Sequence, residues 1–157
     1  MRLEGKVTLE YHELLLAGIA GVMRHVENLK LKREGAHGIE RGTKGDWQAN
    51  IEGVIGELAV SKHLDVYWKG KGEFRGADVG RDFQVRTTSY ATGHLWLFRE
   101  DPEDKVFILV TGSGLEYHIR GWINGAQGKR QKYWGSKQEG REAFWVPQHD
   151  LMTEWIV

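Results

Sequence analysis

Apolar side chains recur at spacings of three and four over residues 8–33, at Leu14, Leu15, Ile19, Val22, Val26 and Leu29. That is the period of an amphipathic helix. A Gly- and charge-rich stretch at 34–45 breaks it. Asp46 then stands where an N-cap belongs, ahead of a second helix predicted over 47–64. At about 100° per residue, Trp47, Ile51, Val54, Ile55 and Leu58 share one face of that helix. Asn50, Glu57 and Ser61 line its edge, so Glu57 sits where a core-facing surface meets a cleft. After Leu64 the period falls to two. Strands are predicted over 82–88, 94–98, 105–111 and 115–120, divided by turns at Thr92-Gly93, Asp101-Pro102 and Gly112-Ser113-Gly114. Val106-Phe107-Ile108-Leu109-Val110 is apolar at every position, the mark of a strand covered on both faces. Residues 121–141 read as irregular and basic, Phe144-Trp145-Val146-Pro147 as a last strand, and 151–157 as a closing turn. Helices followed by a meander of strands predict an α+β fold, with N-terminal helices packed on a central mixed β-sheet.

Composition narrows the function classes. With 157 residues, 40% of them hydrophobic and 28% charged, the chain has the makings of one globular domain over 1–157. Its parts are a helix and loop at 1–45, a core helix and sheet at 46–120, and a basic segment with closing elements at 121–157. The 22 Lys and Arg balance 22 Asp and Glu. Bulk charge therefore cannot hold nucleic acid here, whereas a local basic groove can. Absence of cysteine removes a thiol nucleophile, disulfides and Cys-based zinc sites, and fits a cytoplasmic protein. No apolar run approaches the roughly 18–20 residues of a membrane span, so no membrane partner is expected. No two histidines lie at helical metal-ligand spacing. Phosphate-loop, dinucleotide and serine-nucleophile motifs are missing as well.

The chemistry concentrates between Glu57 and Thr88. Asp78 lies in the bend Gly76-Ala77-Asp78-Val79-Gly80, just before a strand in which alternation places Gln84 and Arg86 together on one face. An acid, a polar acceptor and a cation so arranged suit a site for a hard metal acting on phosphodiesters. Oxygen ligands hold Mg2+, and a neighbouring cation stabilises charge on phosphate. A carboxylate from the upstream helix edge, Glu57, completes the shell. The bland content of the same residues is a turn aspartate, a helix-edge Glu57 paired with Lys62 or Ser61, and Arg86 bridged to Asp78 or Glu57.

Gly53-Val54-Ile55-Gly56-Glu57-Leu58-Ala59-Val60-Ser61-Lys62, then Ala77-Asp78-Val79-Gly80, then Gln84-Val85-Arg86, resemble the core of the PD-(D/E)XK nuclease superfamily, and more narrowly its small phage-encoded members. The resemblance continues through Val106-Phe107-Ile108-Leu109-Val110, Gly121-Trp122-Ile123 and Phe144-Trp145-Val146-Pro147, spanning roughly residues 46–151. It implies a restriction-endonuclease-like core and Mg2+- or Mn2+-dependent hydrolysis of DNA in phage DNA metabolism, inside the host cytoplasm. Glu57 matches the helix acid, Asp78 the motif acid, Gln84 the D/E position and Arg86 the lysine. Metal would then rest on Glu57, Asp78 and Gln84. Two departures stand out. Gln84 offers a neutral carbonyl, and Arg86 is a fixed planar cation that cannot serve as a base. A catalytically inactive DNA-binding or protein-interaction module of the same fold is the alternative, and a structural phage protein a third.

The segment from Arg120 to Arg141 carries an excess of five positive charges, interleaved with Trp122, Tyr133 and Trp134. Cations among aromatics suit a nucleic-acid track, with Arg120, Lys129, Arg130, Lys132 and Trp134 as contacts. A solvated loop with two core tryptophans is the competing content. The acidic run Glu100, Asp101, Glu103 and Asp104 is expected to face away from DNA. Both a monomer and a homodimer are compatible with these residues.

Overall fold

A strand that the apolar period did not disclose opens the chain: β1 (Gly5–Thr8) precedes α1 (Tyr11–Lys30) in this computed structural model, which describes residues 2–31, 44–70, 78–138 and 141–155. Next come α2 (Lys44–Leu64), β2 (Phe83–Thr88), β3 (Leu95–Leu97), β4 (Val106–Ser113) and β5 (Glu116–Asn124). A one-turn helix α3 (Gly125–Gly128), a 3-10 turn at Gln131–Tyr133, β6 (Trp134–Gln138), β7 (Arg141–Val146) and a second 3-10 turn at Gln148–Asp150 follow. Most of the predicted 34–45 loop, Gly76 and Ala77 of the bend, Glu139, and the last two residues of the closing turn lie outside the described residues.

The strands form two sheets. A mixed sheet runs β1-β5-β4-β2, antiparallel except for the parallel pair β2 and β4, and an antiparallel sheet runs β3-β7-β6. The α+β architecture with helices on a mixed sheet is as the sequence implies; the second sheet is not. The predicted strands at 82–88 and 94–98 shorten slightly, while 105–111 and 115–120 lengthen into one hairpin. That hairpin turns at Gly114, which adopts φ +60, the conformation that makes glycine the first residue of such a turn. Residues 121–141 are more ordered than expected, since β5 ends, α3 forms and β6 begins there.

β4 lies between two cores. Ile108 and Val110 pack on the helix side with Val54, Ala59, Val60 and Val85. Phe107 and Leu109 pack on the second sheet with Leu95, Leu97, Phe144 and Val146. All four β4 side chains are fully buried, as a continuously apolar strand requires. Opposite them, the register skips Arg120 between the pairs Leu109 with Gly121 and Val110 with Ile119. This bulge switches the alternation of β5, so Ile119 and Trp122 face the helices while Ile123 faces the second sheet.

The helix pair departs most from expectation. α2 begins at Lys44, so Asp46 is in its first turn rather than its cap. Its side chain lies 3.5 Å from His25 of α1, whose ring packs on Trp47 at 3.9 Å. α1 meets α2 through Ala17, Ala20, Gly21, His25 and Asn28. A Cβ on Gly21 would come within 2.7 Å of the Ile51 backbone, so only small side chains permit this approach. Of the predicted stripe, Leu14 packs against the core, while Leu15, Ile19, Val22, Val26 and Leu29 point away from it. Among the described residues, no helix is long and apolar enough to cross a membrane.

Candidate functional site at the edge of the mixed sheet

Among the described strands, β2 lies at the end of the mixed sheet and pairs with β4 on its inner side. Along its outer side the chain folds back on itself. Asp78 donates its backbone N–H to the Phe83 carbonyl at 2.8 Å, and its carboxylate accepts the Val85 N–H at 2.7 Å. The predicted bend acid is thereby clamped against the strand that follows it.

Glu57 reaches this edge from α2. Gly56 brings the helix close, since a Cβ there would sit 1.8 Å from the Thr87 hydroxyl. Glu57 is 3% exposed, and its partner is neither Lys62 nor Ser61. Arg24 of α1 donates to both carboxylate oxygens, at 2.8 and 2.9 Å. Lys62 binds Glu13 and the Thr8 carbonyl instead. Burial pushes the Glu57 carboxyl up to about 7; Arg24 pulls it down, and the negative charge of Asp78 raises it further. Asp78 is raised as well, by burial first, against its Val85 hydrogen bond and the charges of Arg86 and Arg24.

Alternation places Arg86 on the β2 face opposite Val85 and Thr87. There it lies over the Phe107 ring at 5.3 Å, on the side of the second sheet. It bridges neither Asp78 nor Glu57. One terminal nitrogen donates to both oxygens of Asp101, at 3.0 and 2.9 Å. Asp101 also accepts the Phe98 N–H at 2.8 Å. Asp101, from the acidic run expected to face away from DNA, is thus folded in against Arg86. The grouping of Glu57, Asp78 and Arg86 in a single cleft needs correction too. Glu57 belongs to the helix face and Arg86 to the opposite face, with Asp78 at the edge sensing both. Gln84 shares the Arg86 face and is half-buried, with interactions of its own.

Among these described residues, three carboxylates, Glu57, Asp78 and Asp101, face two guanidiniums, Arg24 and Arg86. Fully ionised, the group carries one negative charge in excess. Arg24 and Arg86 each keep a buried Nε–H with no acceptor, a deficit of about 1–3 kcal/mol apiece. No cluster of three or more His, Asp or Glu disposed to hold a metal ion occurs among the described residues. A hard cation would have Glu57 and Asp78 as its carboxylates, whereas Gln84, the predicted third ligand, lies on the opposite face of β2 from Glu57.

The basic segment is divided. Lys129 donates to the Arg99 carbonyl at 2.7 Å, and the Arg99 guanidinium stacks on Trp134 at 4.2 Å. These groups adjoin the turn whose Asp101 holds Arg86. Trp134 also packs edge-on against Phe144. Arg130 is exposed, and Lys132 pairs with Asp150 at 3.3 Å. Arg120 stands apart at the β5 bulge, bonded to the Thr111 hydroxyl.

Arg24, Asp101 and Arg99 are the site-lining residues that sequence reasoning missed. A signal for Arg24 existed, because it lies on the small-residue line of α1 beside Ala20, Gly21 and Asn28. Nothing in a local window distinguishes Asp101 from its acidic neighbours. No protein-family model, curated protein or solved structure matches this chain.

Proposed function

We propose that this protein is a metal-dependent deoxyribonuclease of the PD-(D/E)XK kind that hydrolyses phosphodiester bonds with Mg2+ or Mn2+. One observation carries the reading. Two carboxylates from separate elements, Glu57 and Asp78, meet at the β2 edge closely enough for the charge of Asp78 to raise Glu57, in a group with Asp101, Arg24 and Arg86 that is one positive charge short. Strongly raised carboxyl pKa values of buried groups cluster at functional sites. Their oxygens suit a hard dication, provided that Arg24 yields one of its two contacts to Glu57.

When bound, the ion supplies Lewis acidity toward a phosphate oxygen and a more acidic water. The chain's own residues do the rest. Arg24 and Arg86 would supply positive charge toward the phosphate, Arg24 from the helix side and Arg86 from the opposite face of β2. Asp101 holds Arg86 in place, and the amide of Gln84 orients water. Arg86 remains charged throughout and takes no proton. Arg130, Lys132 and Trp134 would carry the DNA backbone past the Asp101 turn, with Lys129 bracing that turn from within.

A second reading has its own support: a catalytically silent DNA-binding module. Arg24 fills both oxygens of Glu57 and Asp101 occupies Arg86, so the ion pairs persist without metal. Cleavage assays on duplex, single-stranded, flap and junction DNA distinguish the two. The nuclease cuts with Mg2+ or Mn2+, stops in EDTA, and loses cutting but not binding in Asp78→Ala. Cutting that survives EDTA or Asp78→Ala overturns it. Binding without cutting by the parent, with cleavage emerging in the Gln84→Glu, Arg86→Lys double variant, establishes the silent module.

A further inference from the structure

The outward face of α1 bears on assembly, independently of any chemistry at the sheet edge. Tyr11, Leu15, Leu16, Ile19, Val22, Met23, Val26 and Leu29 are all exposed, from 37% at Val22 and Val26 to 82% at Tyr11. At about 100° per residue they occupy one arc of about 140°, and the only polar side chains within it are His12 and Lys30, at its two ends. The apolar surface so exposed is on the order of 900 Å², above the roughly 300–600 Å² of the largest patch on an ordinary monomer. One partner in a stable interface contributes about 800 Å². Tyr11, Leu14, Leu15, Gly18, Ile19, Val22 and Met23 line a shallow groove along it.

We propose that this face is covered by the α1 face of a second copy of the chain, packed antiparallel about a two-fold axis between Ala20 and Gly21. The pattern is self-complementary in that register. Leu15 meets Val26, Leu16 meets Met23, Ile19 meets Val22 and Tyr11 meets Leu29, each apolar residue finding an apolar one along the whole helix. Charge selects the direction. Antiparallel packing brings exposed Lys30 opposite His12 at the start of the other helix, where the exposed Glu10 carboxylate already lies 3.3 Å from the His12 ring. Parallel packing would set Lys30 against Lys30 and Glu10 against Glu10. Arg24 lies on the opposite side of α1 and keeps its hold on Glu57, so the two sheet-edge sites remain open in the dimer.

Sedimentation equilibrium of the full chain, at micromolar concentration, is expected to give a dimer. Ile19→Glu should raise its dissociation constant on the order of 100-fold or more, with unchanged circular dichroism. The chain has no cysteine, so engineered thiols are unambiguous. Mixed Leu15→Cys and Val26→Cys chains should cross-link to each other through a short bis-maleimide, whereas Leu15→Cys alone should not, its two copies standing about 16 Å apart along the helices. These cross-links preserve the apolar face and decide the matter even if Ile19→Glu fails to fold. A monomeric parent chain, including one that sediments with phosphatidylcholine vesicles, overturns the proposal. A folded Ile19→Glu that stays dimeric, or self-cross-linking of Leu15→Cys, does so too.

Discussion

Glu57 is held by Arg24 in a geometry that favours its charge, and buried beside Asp78 in a position that penalises it. Burial and Asp78 together outweigh the guanidinium, and the carboxyl rises from 4.5 to about 7. A group whose folded pKa is raised adds stability below its unfolded pKa and loses that contribution as pH climbs through the folded value. The urea midpoint should therefore fall between pH 5 and pH 7.5, and Glu57→Gln should flatten that slope. Because a metal needs the ionised carboxyls, Mg2+ or Mn2+ should raise the thermal midpoint at pH 8 and lose its effect by pH 5. A dication effect that is equal at both pH values would place the ion elsewhere. Arg86 and Asp101 form the second pair, each side chain 14% exposed. Asp101→Ala leaves a largely buried guanidinium without its acceptor and should cost about 3 kcal/mol in denaturant titration.

Among the elements, the crossing of α2 over β2 governs where Glu57 arrives. Gly56 permits contact with Thr87, a side chain too short to swing clear. Gly56→Ala should gain up to about 1 kcal/mol of helix propensity and lose more through overpacking, commonly about 1–3 kcal/mol. Net destabilisation in thermal melts is the expected result, with Thr87→Ala in the same chain recovering part of it. Net stabilisation would mean that the helix moves away freely, and the position of Glu57 would then not depend on this crossing.

For the whole molecule, the basic segment contributes less free charge than its composition suggests. Lys129 is 12% exposed, bonded to the Arg99 carbonyl and 4.0 Å from Glu103, whereas Arg130 stands in solvent and exposed Lys132 is paired with Asp150. If DNA tracks this side, neutralising Arg130 and Lys132 should flatten the logarithmic salt dependence of binding by about 1–2 units. Lys129→Gln should change the slope little and weaken the turn behind it. Filter binding across a salt series measures both, and an unchanged slope in the double variant would move the track away from this segment.

Local order was legible wherever a single periodicity ruled a segment. The continuous apolar run of β4 announced a strand buried on both faces, and the two helices and four central strands stand within a few residues of their predicted spans. Asp78 was legible as a bend acid because glycines flank it, and Gln84 and Arg86 as neighbours because strands alternate. Tertiary packing decided the rest. A period of 3.6 shows that α1 has an apolar stripe, but not that its small-residue face is the one that meets α2. That choice follows from how closely two backbones can approach at Gly21. Arg24 reaches Glu57 across 33 positions of sequence and Asp101 reaches Arg86 across 15. A carboxylate chooses its cation by distance in space and by how little water remains around it, and neither quantity exists until the chain has folded.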